Sequence, residues 1–160
     1  MSITAEEKAP AHLWVIAIVT LVYCVQGSAF DHVMISLRDP DHLAFIAEVL
    51  GIPVEAVAAY YDLWPFWANL GWAALVWGAV AGSLFLILRS KYALHAFAVS
   101  LVGQIVTAYF YTLAPLPRVA GDQLVGVIDQ IQQVMVVVEC VTTLLLILYA
   151  RWLTTRGILE

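Results

Sequence analysis

One carboxylate, Glu139, stands inside the otherwise apolar run VMVVVECVTTLLLILYARW, residues 134–152. A charged side chain at the centre of a bilayer costs about 2.5–3.5 kcal/mol on insertion scales. Glu139 should therefore face the interior of a helix bundle, carry a proton, or both. Polar residues near it follow steps of three, four and seven, which place most of them on one helix face: Asp129, Gln132, Gln133, Glu139 and Thr143.

Two further polar residues lie at the same predicted depth as this acid. At ~1.5 Å per residue, Glu139, Gln104 and Gln26 each lie ~18–21 Å from the predicted cytoplasmic end of their span. We therefore expect a polar cluster in mid-membrane, formed by these three residues and continued by others on the last helix. The cluster has three interpretations: hydrogen bonds that hold helices together, at about 0.6 kcal/mol each, a path for a solute or proton, and contact with a partner subunit.

Small residues form a ridge in GWAALVWGAVAGS, residues 71–83, in which Gly71, Gly78 and Gly82 recur at helical spacing. Such ridges let two helices approach closely, because no side chain separates their backbones. Contact within one chain is the favoured interpretation, and contact between two copies is the alternative.

Residues of metal-binding type occur in DHVMISLRDPDH, residues 31–42, but their spacing matches no standard metal signature. They are Asp31, His32, Asp41 and His42. We therefore predict no metal site and no cofactor. No nucleophile with a neighbouring base, glycine-rich phosphate loop or metalloprotease motif is present, so we predict that the protein is not an enzyme.

The composition is typical of a membrane protein. Of 160 residues, 63% are hydrophobic and only 12% are charged, far from the usual soluble range. A net charge of −5 with few lysines and arginines argues against nucleic-acid binding. The bilayer is therefore the first expected partner of this chain.

Four segments are long and apolar enough to cross a bilayer: residues 12–36, 63–88, 92–113 and 123–150. Since only helices satisfy their own backbone in lipid at this length, we predict an all-α integral membrane protein. It should form one transmembrane domain, residues 1–160, built as a four-helix bundle. The first apolar run lacks a cleavage-site pattern, so we expect it to be retained as a span.

Between the first two spans, residues 40–61 have apolar side chains at helical spacing. Asp39 and Pro40 form a helix-start pattern, and Gly51 with Pro53 interrupts the segment. We predict a short amphipathic layer of two helices on the outer membrane surface.

The basic residues predict the orientation. Five of them fall on one side of a four-span topology: Lys8, Arg89, Lys91, Arg151 and Arg156. Arg38 and Arg118 fall on the other. Both termini should therefore face the cytoplasm, with the protein in a bacterial inner membrane.

The chain resembles a group of uncharacterised four-span proteobacterial inner-membrane proteins that are often labelled "sugar transporter". The likeness lies in AALVWGAVAGSLFLILRSKYALHAFAVSLVG (residues 73–103) and YARWLTTRGILE (residues 149–160). This resemblance implies the same layout and no catalytic residues. Two functions remain open: a small transporter-like protein that binds a solute or proton around Glu139 and forms a homodimer, and a non-catalytic accessory subunit. The accessory subunit would dock on a larger respiratory, photosynthetic or transport complex.

Overall fold

A computed structural model describes residues 10–113 and 123–160, with the backbone alone for residues 123–133. All regular structure in these ranges is helical. The helices are α1 (Ala11–Tyr23), a π-helical segment (Cys24–Ala29), α2 (Phe30–Ser36), α3 (Pro40–Leu50), α4 (Val54–Asp62), α5 (Phe66–Ile87), α6 (Tyr92–Leu113) and α7 (Gln123–Thr155).

Four helical stretches are long and apolar enough to span a membrane: Ala11–Ser36, Phe66–Ile87, Tyr92–Leu113 and Val134–Thr155. The all-helical class and the number of membrane-length helices are therefore confirmed for the described residues. The predicted limits agree to within a few residues for the first three. The last helix runs further than predicted, to Thr155.

The first of these stretches is continuous but is not regular, because its centre is π-helical. In a π-helix each N–H bonds the carbonyl five residues earlier, so one extra residue enters the turn. The N–H of Phe30 accordingly bonds the carbonyl oxygen of Val25. The extra residue rotates α1 relative to α2, which changes the residues that face the bundle.

The small-residue ridge of α5 packs against α6. A Cβ added to Gly78 would lie 2.8 Å from the backbone nitrogen of Ser100. A Cβ added to Gly103 on α6 would lie 2.5 Å from the carbonyl oxygen of Gly71. One added to Gly82 would meet the ring of Phe97 at 2.6 Å. The glycines therefore serve contact within the chain, which was the favoured interpretation.

At the end of the bundle that holds the C-terminus, the last residues bind the turn between α5 and α6. The N–H of Glu160 donates to the carbonyl of Arg89 over 2.8 Å, and the N–H of Lys91 donates to the carbonyl of Glu160 over 2.8 Å. Gly157, at φ +69°, ends α7 and turns the chain toward this loop. Ile158 then joins an apolar cluster with residues of α1, α5, α6 and α7. The same end contains the start of α1, and we call it the termini end.

At the opposite end lies the layer formed by α3 and α4, which meet at an angle of 107°. The Asp39 carboxylate caps α3 by accepting a hydrogen bond from the N–H of His42 at 2.9 Å, and Gly51 at φ +65° ends that helix. Arg38 forms an ion pair with Asp62 across the layer. Two short helices in this segment were predicted, and they are confirmed as helices.

Helix α7 contributes little to the interior of the single chain. From Val134 to Thr155 its buried side chains are Thr143, Ala150 and Leu153. The other described side chains of this stretch are partly or fully exposed, and most of them are apolar. Much of α7 therefore faces either lipid or another protein.

Candidate functional site

A hydrogen bond between two side chains joins α6 to α7 in the middle of the bundle. The Nε2 amide of Gln104 donates to Oε2 of Glu139 over 3.1 Å. Gln104 is only 2% exposed, and its other polar atom, Oε1, has no hydrogen-bond partner among the described residues. A buried acceptor without a partner is costly, so this atom is suited to receive a donor from elsewhere.

A cavity of about 360 Å³ extends from this pair toward the termini end. Its walls come from four spans, and most of the lining side chains are apolar, such as Val19, Phe97 and Leu146. Polar atoms are contributed by the hydroxyls of Thr20, Thr142 and Thr143. We call it the termini-side cavity, and its size lies in the range usual for small-molecule sites.

A second cavity, of about 310 Å³, extends from the same pair in the opposite direction. It extends under the α3–α4 layer, from which Ile46 and Tyr61 line it, and its walls include Asp31, Trp72 and Tyr111. We call it the layer-side cavity. The α3–α4 layer therefore covers one approach to the middle of the bundle.

The two cavities share part of their lining. Ser28, Leu75, Gln104 and Glu139 line both. The hydrogen-bonded pair therefore lies at the boundary between a space that extends toward one end of the bundle and a space that extends toward the other.

The charge of the lining is entirely negative among the described residues. Asp31 and Glu139 are its acids, and it includes no lysine, arginine or histidine. The imidazole Nε2 of His42, which lines neither cavity, lies 3.3 Å from Oδ1 of Asp31. That separation suits an ion pair when His42 is protonated, but the geometry is not that of a hydrogen bond. Glu139 itself faces no described basic side chain, so its carboxylate needs a proton or a cation from outside the chain.

Tyr61, on the α3–α4 layer, lines the layer-side cavity. Its phenol would add a negative charge to that cavity if it lost its proton. Burial and, to a smaller extent, the nearby Asp31 carboxylate raise the pKa of Tyr61, Arg38 opposes them, and the net value is about 12. The phenol is therefore neutral at physiological pH. It adds a hydroxyl to the layer-side cavity without adding charge.

The position of Gln26 was predicted incorrectly. Its side chain is exposed, and the first span instead reaches the cavities with Tyr23, Cys24 and Ser28. Gln26 follows the buried Cys24 by two residues, about 200° around a helix, so its side chain points away from the bundle. Equal depth alone therefore did not bring Gln26 to the other two residues.

Other predicted members of the cluster have separate outcomes. Thr143 is buried and lines the termini-side cavity together with Glu139. The side chains of Asp129 and Gln132 lie outside the described residues. Their part in the cluster therefore stays a prediction.

Neighbouring hydroxyls of α6 serve to hold helices rather than to form the site. Ser100 donates to the carbonyl oxygen of Leu75 on α5 over 2.7 Å. Thr107 donates to the carbonyl of Gly103 one turn earlier on its own helix, over 2.9 Å. These groups are already partnered, which distinguishes them from Gln104.

The residues of metal-binding type near the α3–α4 layer do not gather around one point. Asp31 approaches His42, whereas the ring of His32 lies edge-on to Trp72, with 4.5 Å between centroids. Within the described ranges, no three histidine, cysteine or acidic side chains could hold a metal ion together. Asp31 instead lines the layer-side cavity. The sequence suggests Asp31 only as a metal ligand, because it does not show that α3 and α4 fold back over this residue.

Comparisons with known proteins gave no match to a family model, a curated protein or a solved structure. The site must therefore be interpreted from its own geometry.

Proposed function

We propose that this chain is a small transporter-like membrane protein in which the Gln104–Glu139 pair binds a proton or a small solute. The observation that carries the proposal is the position of this pair, which lines both of two cavities that extend toward opposite ends of the bundle. A site that exchanges its occupant between two sides of a membrane lies between two such spaces, each of which must connect to one side.

The alternative that the pair only fastens α6 to α7 does not account for the carboxylate. Glutamine or threonine forms hydrogen bonds between helices without the cost of burying a charge. The adjoining cavities would also be unnecessary for such a role. An acid beside open space is better suited to taking up and releasing a proton or a cation.

The proposed location is a bacterial inner membrane with both termini in the cytoplasm. Arg89 and Lys91 lie at the termini end, because both contact the C-terminal residues there, and Arg151 and Arg156 end α7 on the same side. Basic residues favour the cytoplasmic side. A reporter enzyme fused after Glu160 and active only in the cytoplasm would support this orientation, and one active only outside it would reverse it.

Proton flux tests the proposal directly. The protein is reconstituted into liposomes that contain a pH-sensitive dye, and a potassium gradient with valinomycin sets the membrane potential. We expect the wild-type protein to acidify the lumen faster than protein-free liposomes do, and Glu139→Gln to reduce the rate to that background. The amide keeps the size of the side chain but cannot carry the proton.

Glu48→Gln is the matched control for this experiment, because Glu48 is an exposed acid on α3 that lines neither cavity. It should conduct like the wild type. If Glu139→Gln conducts equally well, the carboxylate has no part in proton transfer. If wild-type liposomes conduct no faster than empty ones, the proton is excluded and only a solute remains.

The exposure of α7 favours a second candidate, an accessory subunit of a larger membrane complex. Few side chains between Val134 and Thr155 are buried within the chain, so a broad apolar face is free to contact a partner. Purification in mild detergent separates the candidates. Migration with a large complex supports the accessory role, whereas a homodimer supports transport, since four spans are few for alternating access.

A further inference from the structure

We infer that the Gln104–Glu139 pair binds a primary or secondary ammonium group whose apolar body occupies the termini-side cavity. This inference rests on the proposed function, and it names the chemical class of the solute. It follows from three properties of the same site: the atoms that are offered, the charge, and the shape of the adjoining space.

The atoms offered to an occupant are acceptors. Gln104 uses its amide N–H to bind Glu139, which leaves Oε1 of Gln104 buried without a described partner. The carboxylate of Glu139 has further acceptor positions beside it. A ligand that satisfies both groups must itself supply at least two N–H or O–H donors. A quaternary ammonium has none, and a simple alcohol has one.

The charge favours a cation. Glu139 lines both cavities, Asp31 lines the layer-side one, and no described basic side chain lines either, so an ammonium group would neutralise a Glu139 carboxylate that carries no proton. A bare metal ion is less well served, because hard cations require six or more oxygen ligands. Among the described residues, the side-chain oxygens that line both cavities are those of Gln104, Glu139 and Ser28.

The shape of the space accounts for the rest of the ligand. The termini-side cavity has a volume of about 360 Å³ and apolar walls that include Leu75, Val76 and Leu146. A short alkyl chain fits such walls and gains about 0.8 kcal/mol for each CH₂ group buried. The expected ligand is therefore amphipathic, with one protonated amine and a small hydrocarbon body.

Binding of hexylamine to the whole protein in lipid nanodiscs, measured by isothermal titration calorimetry, tests this assignment. Hexanol has the same chain without the charge, and tetraethylammonium has the charge without a donor. Empty nanodiscs correct for partition into lipid. We expect saturable binding of hexylamine, at least tenfold weaker binding of the other two, and at least tenfold weaker hexylamine binding in Glu139→Gln. Gln104→Met, which removes the unpartnered acceptor at similar size, should also weaken it.

Equal affinity for hexylamine and hexanol in the wild-type protein would overturn the inference, and this comparison does not depend on any variant folding. Amine binding that is unchanged in Glu139→Gln would also overturn it. Proton flux that depends on Glu139, without amine binding, would contradict the assignment of an amine ligand but would still support the proposed function. Amine binding that depends on Glu139, without any proton flux or solute movement, would support the assignment of an amine ligand and contradict the proposal of transport.

Discussion

Gly78 on α5 lies directly against the backbone of Ser100 on α6, so that a Cβ on the glycine would be 2.8 Å from the Ser100 nitrogen. Beside this contact, the Ser100 hydroxyl donates to the carbonyl of Leu75. The α5–α6 pair therefore has backbones in contact and a hydrogen bond across them. It forms one fixed wall of both cavities.

Gly78→Ala should destabilise the protein by about 1–3 kcal/mol, because the new methyl group meets backbone that cannot rotate away. Thermal unfolding in detergent measures the change. Gly27→Ala is the matched control, since a Cβ at Gly27 would have no heavy atom within 4 Å. That variant should unfold at or above the wild-type temperature. Equal behaviour of the two variants would contradict the close contact.

Deletion of Gln26 should convert the π-helical segment into regular α-helix and turn α1 by about 100° relative to α2. Tyr23 and Cys24 would then leave the cavity wall, while the helix content stays nearly unchanged. We expect normal far-ultraviolet circular dichroism and a large loss of proton flux.

Gln26→Leu is the partner experiment, because it keeps the residue count and changes only an exposed side chain. It should leave the flux close to that of the wild type. A loss as large as that of Glu139→Gln would instead place Gln26 within the site.

Gly157→Ala should cost about 1–2 kcal/mol, because an L-residue is strained at φ +69°. The strain would weaken the hydrogen bonds of Glu160 to the α5–α6 turn. Hydrogen exchange should show faster exchange at Lys91, whose N–H is one of the donors. Thr155→Ala, an exposed change two residues earlier, should leave the exchange unaltered. Unchanged protection in Gly157→Ala would contradict this role of the tail.

The stability at high pH should depend on Tyr61. Its folded-state pKa of about 12 exceeds the ordinary value of 10.0, so the unfolded chain loses this proton first as the pH rises. The unfolded state then binds fewer protons, and stability falls between these two values. Tyr61→Phe should reduce the fall in unfolding temperature over this interval. In Tyr92→Phe, which changes an exposed tyrosine, the unfolding temperature should fall as much as in the wild-type protein.

The sequence predicted the helices well because their signal is local. Apolar length predicted each span, and the equal depths of Gln104 and Glu139 predicted a contact that the structure contains. Gln26 failed the same reasoning, since equal depth does not decide which face of a helix a residue occupies, and Gln26 lies on the face away from the buried Cys24. The layer-side cavity could not be predicted, because it forms only when Tyr61 and Ile46 fold back above Asp31.

Helix α7 is anchored unevenly along its length. Ala150 and Leu153 are fixed in the apolar cluster at the termini end, whereas the stretch around Met135 has no buried described side chain. Between them, Gln104 holds Glu139 by one hydrogen bond. Among the described residues, the grip on α7 is therefore strong at the termini end and depends on one replaceable bond near Glu139. An occupant that takes over this bond would let the stretch around Met135 shift and so change the width of the layer-side cavity, which Met135 lines.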